Sequence, residues 1–66
     1  MNNLKQLRID RDLTQKALCE ELKKTGFFID RSTYSKYETE SREMSAGVLI
    51  RFSDFFGVSV DYILCR

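Results

Sequence analysis

The chain has no proline and no histidine, and only three glycines and two cysteines among its 66 residues. Proline and glycine weaken helices, so their scarcity favours helices joined by short turns over a β architecture. The chain also offers no glycine-rich phosphate loop and no pairing of a nucleophile with a base, which argues against catalysis. We therefore expect an all-α protein that is not an enzyme.

The two cysteines, Cys19 and Cys65, are too few and too far apart for a disulfide framework or a paired metal-ligand motif. They are interpreted as reduced thiols of a cytoplasmic protein, with no metal and no cofactor. No apolar run approaches the roughly 18 residues of a membrane-spanning helix. A signal-peptide apolar region is also missing, so we expect a soluble, cytoplasmic protein with no membrane partner.

The length predicts a single domain over residues 1–66, and 42% apolar residues suffice for a small core. The formal net charge is only +1, which lacks the basic excess typical of nucleic-acid-binding domains. Composition therefore gives no support for DNA binding. Any such site must be inferred from where the charges lie.

Capping residues and apolar spacing predict five helices. The N-cap candidates, one before each helix, are Asn2 or Asn3, Thr14, Asp30, Ser45 and Ser59. The second helix is predicted over about residues 14–24 and is followed by Gly26. The third is predicted over about residues 31–38, and Gly57 ends the fourth. Short helices with brief connections indicate a compact orthogonal bundle.

The aromatic residues indicate which faces are buried. Tyr34 and Tyr37 are spaced i, i+3, which favours core packing over stacking on single-stranded nucleic acid. The fourth helix has one apolar stripe, formed by Leu49, Phe52, Ser53 and Phe56. Either Tyr62 or Ile63 is expected to pack inward from the fifth helix. Phe27 and Phe28 lack helical spacing and are predicted to fold back onto the core.

The segment from Leu13 to Tyr37 has features that suit DNA. Thr14 and Gln15 lie at a helix N-terminus, where free N–H groups and the helix dipole favour a phosphate. The outward face of the third helix carries hydrogen-bond donors, and Arg31 can donate two hydrogen bonds to guanine. Ser41 and Arg42 follow in a loop that could contact the DNA backbone. Taken alone, a helix face of this kind is also compatible with simple solvation.

Three strings resemble the phage repressor and Cro family of helix-turn-helix domains. They run from Leu13 to Cys19, from Arg31 to Glu38 and from Gly57 to Leu64, and the likeness spans about Leu4 to Leu64. Each string is a weak signal, but their order and spacing over the chain are specific. The resemblance implies a five-helix fold whose second and third helices read double-stranded DNA.

The resemblance also implies roles for individual residues. Gln15 takes the place of a glutamine that contacts phosphate or base, and Arg8 with Glu38 takes the place of a buried ion pair. Cys19 replaces a small packing residue. The complete set of predicted DNA-contacting residues is Thr14, Gln15, Lys16, Arg31, Ser32, Thr33, Ser35, Lys36, Ser41 and Arg42.

The sequence departs from the family pattern on both sides of the third helix. About five extra residues lie between Leu22 and Ile29, which predicts a longer second helix and a wider turn. Glu40 stands where glycine is common, so we expect the usual left-handed turn to be lost. Glu40 and Glu43 also place negative charge beside the expected phosphate contacts, which predicts modest affinity for DNA.

These observations lead to two functional hypotheses. The first is a sequence-specific transcriptional regulator, expected to be a repressor, that binds a two-fold symmetric operator as a homodimer. The expected dimer interface is the fifth helix together with the region from Phe55 to Tyr62. The second is a protein-interaction module on the same fold, such as an antitoxin-like or anti-repressor subunit. The low net charge, the acidic loop and the segment Phe27–Phe28 favour the second.

Overall fold

The structure is a computed structural model that describes residues 2–66, and this part of the chain forms five α-helices and no strand. The helices are α1 (Leu4–Asp10), α2 (Gln15–Lys24), α3 (Arg31–Glu38), α4 (Ala46–Phe56) and α5 (Val60–Ile63). The prediction of an all-α, five-helix fold is confirmed. None of these helices has the length and apolar character that crossing a membrane requires.

Side-chain caps start four of the helices where the sequence predicts them. Thr14 Oγ1 accepts a hydrogen bond from the N–H of Ala17 at 3.1 Å, and Asp30 Oδ1 accepts one from Thr33 at 2.6 Å. Ser45 and Ser59 cap α4 and α5 in the same way. Each cap satisfies one of the N–H groups that the first helical turn leaves without a partner.

The start of α1 is held differently. Asn3 occupies the N-cap position, but its side chain makes no capping bond. Asn3 instead donates from its backbone N–H to the Ile63 carbonyl at 2.9 Å and from Nδ2 to the Tyr62 carbonyl at 2.6 Å. These two hydrogen bonds join the beginning of α1 to α5.

The core forms around Phe52, which is fully buried. Its ring makes edge-to-face contacts with Phe27, Tyr34 and Tyr37 at centroid distances of 5.6, 5.8 and 6.2 Å. The buried residues come from all five helices and are Leu4, Leu18, Cys19, Leu22, Tyr34, Tyr37, Phe52, Phe56 and Ile63. The core thereby fixes α3 against α4, and of the two α5 candidates it is Ile63 that packs inward.

The connection between α2 and α3 corrects one expectation. Phe27 packs against Phe52 as predicted, but Phe28 is 72% exposed, so the prediction that both aromatic rings cover the core is wrong for Phe28. With Phe27 already seated on Phe52, the ring of Phe28 is left in solvent.

The turn after α3 corrects a second expectation. Glu40 has φ +62°, so the left-handed turn forms although the residue is not glycine. The N–H of Ser41 donates to the Lys36 carbonyl at 2.9 Å, and the N–H of Glu40 donates to the Tyr37 carbonyl at 3.3 Å. These two hydrogen bonds form a Schellman motif, which requires a left-handed conformation at the position of Glu40. The hydrogen bonds therefore override the residue preference.

A pair of glycine substitutions tests the backbone of α4. Gly57 ends the helix with φ +68°, and an added Cβ would meet nothing within 4 Å. Gly57→Ala is therefore expected to lower the free energy of unfolding by about 1 kcal/mol through backbone strain alone. Gly47 has ordinary helical geometry, so Gly47→Ala should raise it by roughly 0.4–1 kcal/mol. Urea denaturation measures both, and shifts of the same sign would contradict this account.

Candidate nucleic-acid interface

A polar groove lies between the first turn of α2 and the outer face of α3. The residues that line it are Gln15, Arg31, Ser32, Ser35 and Lys36. Arg31, Ser32 and Lys36 are exposed, whereas Gln15 and Ser35 are half-buried. The groove thus gathers five of the predicted DNA-contacting residues on one surface, each with a side chain that can donate hydrogen bonds.

The remaining predicted contact residues lie outside this groove. The hydroxyl of Thr14 is engaged in its cap, and Thr33 is half-buried. Lys16 lines a separate groove along α2. Ser41 Oγ lies 2.9 Å from the Thr39 hydroxyl, and Arg42 lines a cleft that also contains Glu40 and Glu43.

An ion pair lies directly behind the polar groove. Arg8 Nε of α1 donates to Glu38 Oε2 of α3 at 2.7 Å, with only 13% and 5% of the two side chains exposed. Arg8 Nη2 donates to the other carboxylate oxygen at 3.4 Å, and Nη1 donates to the Leu13 carbonyl at 2.8 Å. The pair therefore joins α1 and α3 and also fixes the backbone before α2.

Gln15 is bound to the same carboxylate. Its Nε2 donates to Glu38 Oε1 at 3.2 Å, across 23 residues of sequence. Glu38 therefore receives hydrogen bonds from α1 and α2 while it belongs to α3. This contact could not be predicted from the sequence, because nothing in the local pattern relates Gln15 to Glu38.

Tyr34 Oη is buried beside the ion pair and has no hydrogen-bond partner of acceptable geometry within residues 2–66. Burial, together with the neighbouring Glu38 carboxylate, raises the pKa of Tyr34 well above its ordinary value. The hydroxyl is therefore protonated at neutral pH. It can act only as a neutral dipole next to Glu38.

The ion pair predicts a pH dependence of stability. Burial pushes the pKa of Glu38 upward, but the surrounding donors, Arg8 first, outweigh it and hold the pKa below its usual value. Because the pKa of Glu38 is lower in the folded state, the ionised carboxylate stabilises the protein at pH values above its unfolded-state pKa of about 4.3. This stabilisation is lost as the pH falls through the folded-state pKa. The difference in unfolding free energy between wild type and Glu38→Gln should be constant above about pH 5 and shrink below about pH 4. Denaturation curves from pH 7 to 3 measure it, and a pH-independent difference would contradict the assignment.

A second groove runs along α2 and is largely apolar. Its apolar residues are Cys19, Phe28 and Ile29, and Lys16, Lys23 and Arg31 are among its charged ones. Burial raises the pKa of the Cys19 thiol, which keeps it in the unreactive protonated form. Cys19 belongs to the buried core. The exposure of the Phe28 ring was not predicted.

On another part of the surface, Arg11 covers two aromatic rings. Its guanidinium carbon lies 5.1 Å from the ring centroid of Phe55 and 5.3 Å from that of Phe56. Arg11 Nη2 also donates to the Phe56 carbonyl at 3.2 Å. Nearby in sequence, Tyr62 is 49% exposed. Phe55 is therefore partly covered, and Tyr62 is the more accessible aromatic residue of the segment from Phe55 to Tyr62.

Two short helices joined by a connection, with α3 presenting donors at the surface of a five-helix domain, define the class of helix-turn-helix domains. The helix-turn-helix family model matches residues 4–63. The chain therefore belongs to the Cro/C1-type family of helix-turn-helix DNA-binding domains, which confirms the resemblance seen in the sequence.

The chain is also similar to a curated protein, the uncharacterized HTH-type transcriptional regulator YqaE of Bacillus subtilis (strain 168). The two are 39% identical over 62 residues, which cover 94% of this chain and 49% of that protein. The chain thus spans about half the length of this relative. No solved structure matched the chain significantly.

Proposed function

We propose that this chain is the sequence-specific DNA-binding domain of a transcriptional repressor, with α3 as its recognition helix in the major groove. The observation that carries the proposal is the polar groove, where Arg31, Ser32 and Lys36 are exposed on α3 next to Gln15 of α2. An α-helix fits the major groove, and residues near its N-terminus usually contact the base edges. The relative's description as a transcriptional regulator supports the same function.

The proposal includes a homodimer on a two-fold symmetric operator in the cytoplasm. A single α3 of eight residues can read only a few base pairs, so two copies on half-sites about 34 Å apart would supply the specificity. Tyr62, which is 49% exposed, and the half-buried Phe55 are the residues proposed for pairing. Phosphate contacts by Arg31 and Lys36 should make binding salt-dependent.

Selection of duplex sites from a random pool at about 150 mM salt tests this function. We expect an enriched motif with two-fold symmetry and an affinity that falls as salt is raised. Enrichment of an asymmetric motif would refute the dimer but retain DNA binding. Failure to enrich any duplex would refute the proposal.

The exposed ring of Phe28 favours a second candidate, a protein-interaction module on the same fold. Together with Cys19 and Ile29 it forms an apolar surface, which would serve no purpose in contacting DNA phosphates. An antitoxin-like or anti-repressor subunit would bind its partner there. Tight, salt-insensitive capture of a protein partner that Phe28→Ala abolishes, with no duplex enriched, would establish this alternative.

A further inference from the structure

The amide of Gln15 links the polar groove to the ion pair behind it. Gln15 Nε2 donates to Glu38 Oε1 at 3.2 Å. An ionised carboxylate only accepts hydrogen bonds, so the amide nitrogen must face Glu38. The amide oxygen and the second N–H of Gln15 then remain for other partners. Gln15 therefore reaches the groove with a defined orientation before any ligand arrives.

The Glu38 carboxylate is itself held in place, so it can fix the orientation of the Gln15 amide. Its Oε2 accepts from Arg8 Nε at 2.7 Å, and the Glu38 side chain is only 5% exposed. Arg8 is in turn held by the Leu13 carbonyl at 2.8 Å. The carboxylate is thus fixed from α1 and from the segment before α2, whereas Gln15 itself is half-buried at the start of α2.

We propose that Glu38, besides pairing with Arg8, is a positioning residue for DNA binding that acts through Gln15. The free N–H of Gln15 donates to a phosphate or a base edge, and the carboxylate keeps it aimed there. A side chain that is already ordered loses less rotamer freedom on binding, which strengthens the complex. This inference rests on the proposed DNA binding.

A double-mutant cycle on DNA affinity tests the coupling. Dissociation constants for the selected duplex are measured for wild type, Gln15→Ala, Glu38→Gln and the double variant, each corrected for its folded fraction. We expect Gln15→Ala to weaken binding about tenfold, the value of one hydrogen bond to a charged group. Glu38→Gln should weaken the wild type about three- to tenfold but leave the Gln15→Ala protein unchanged.

The control is Gln6→Ala, because Gln6 is an exposed glutamine of α1 whose Nε2 donates to Asp10 Oδ1 at 2.8 Å. It should leave the dissociation constant unchanged. If Glu38→Gln weakens binding equally with and without Gln15, Glu38 is structural only and the inference is overturned. If no duplex is selected at all, both the proposed function and the inference that rests on it are refuted.

A measurement on the unmodified protein covers the case in which Glu38→Gln does not fold. Nitrogen relaxation of the side-chain amides reports their order in the free protein. The Gln15 amide should approach the order parameter of rigid backbone, about 0.85, whereas the exposed Gln6 amide should fall nearer 0.6. A Gln15 amide as mobile as that of Gln6 would show that nothing positions it.

Discussion

Glu38→Ala is expected to destabilise the protein by about 3–5 kcal/mol, because it leaves the Arg8 guanidinium buried without its counter-charge. Arg8 Nε and Nη2 would lose their acceptors, and Gln15 Nε2 would lose its own. A domain of 66 residues has a total stability of roughly 3–10 kcal/mol. The loss is therefore a large share of the total stability, and urea denaturation followed by circular dichroism measures it.

Two controls separate the buried pair from a general effect of removing glutamate. Glu43 is exposed in the loop before α4, so Glu43→Ala should change stability by no more than about 0.5 kcal/mol. The double variant Arg8→Met/Glu38→Leu removes both charges and should recover much of the lost stability. A loss below about 1 kcal/mol for Glu38→Ala would show that the pair is solvated like a surface ion pair.

Arg31→Ala is expected to reduce discrimination at one base pair of the selected site by about 1–3 kcal/mol, or roughly 5- to 150-fold in relative affinity. Arg31 is exposed in the first turn of α3, within the polar groove. Competition between the selected duplex and single-base variants measures the loss. Because the effect belongs to one base pair, affinity for unrelated DNA should fall much less.

The matched control for Arg31 is Arg51→Ala, an exposed arginine on α4 that is not part of the groove. It removes the same charge and should preserve base preference. If Arg31→Ala instead weakens all duplexes equally and lowers the salt slope by about one, Arg31 contacts a phosphate. If the Arg31→Ala/Lys36→Ala variant still binds the selected site like wild type, α3 is not the recognition helix.

Features that depend on neighbouring residues could be predicted from the sequence. The caps Thr14 and Asp30 could be predicted because each side chain binds an N–H group only three residues further along the chain. The Glu40 turn was predicted wrongly, since glycine preference was weighed without the two hydrogen bonds that impose the left-handed conformation. Phe28 was wrongly predicted to be buried, because which of the two rings is covered depends on the packing of Phe27 against Phe52.

The polar groove shows the same division. The resemblance placed Arg31, Ser32 and Lys36 on α3, and the structure brings them to one exposed surface. The hydrogen bond from Gln15 to Glu38 could not be predicted, because it depends on how α2 and α3 pack. The orientation of α3 on DNA likewise depends on that packing and on the connection that contains Phe28.

The hydrogen bonds from Asn3 to α5 have a consequence for local unfolding. A helix of four residues, as α5 is, has no stability of its own in water. It persists because Ile63 is buried and because Asn3 binds the carbonyls of Tyr62 and Ile63. The backbone N–H of Asn3 should therefore be protected from hydrogen exchange to the extent set by the opening free energy of α5, so that an amide next to α1 measures the local stability of α5.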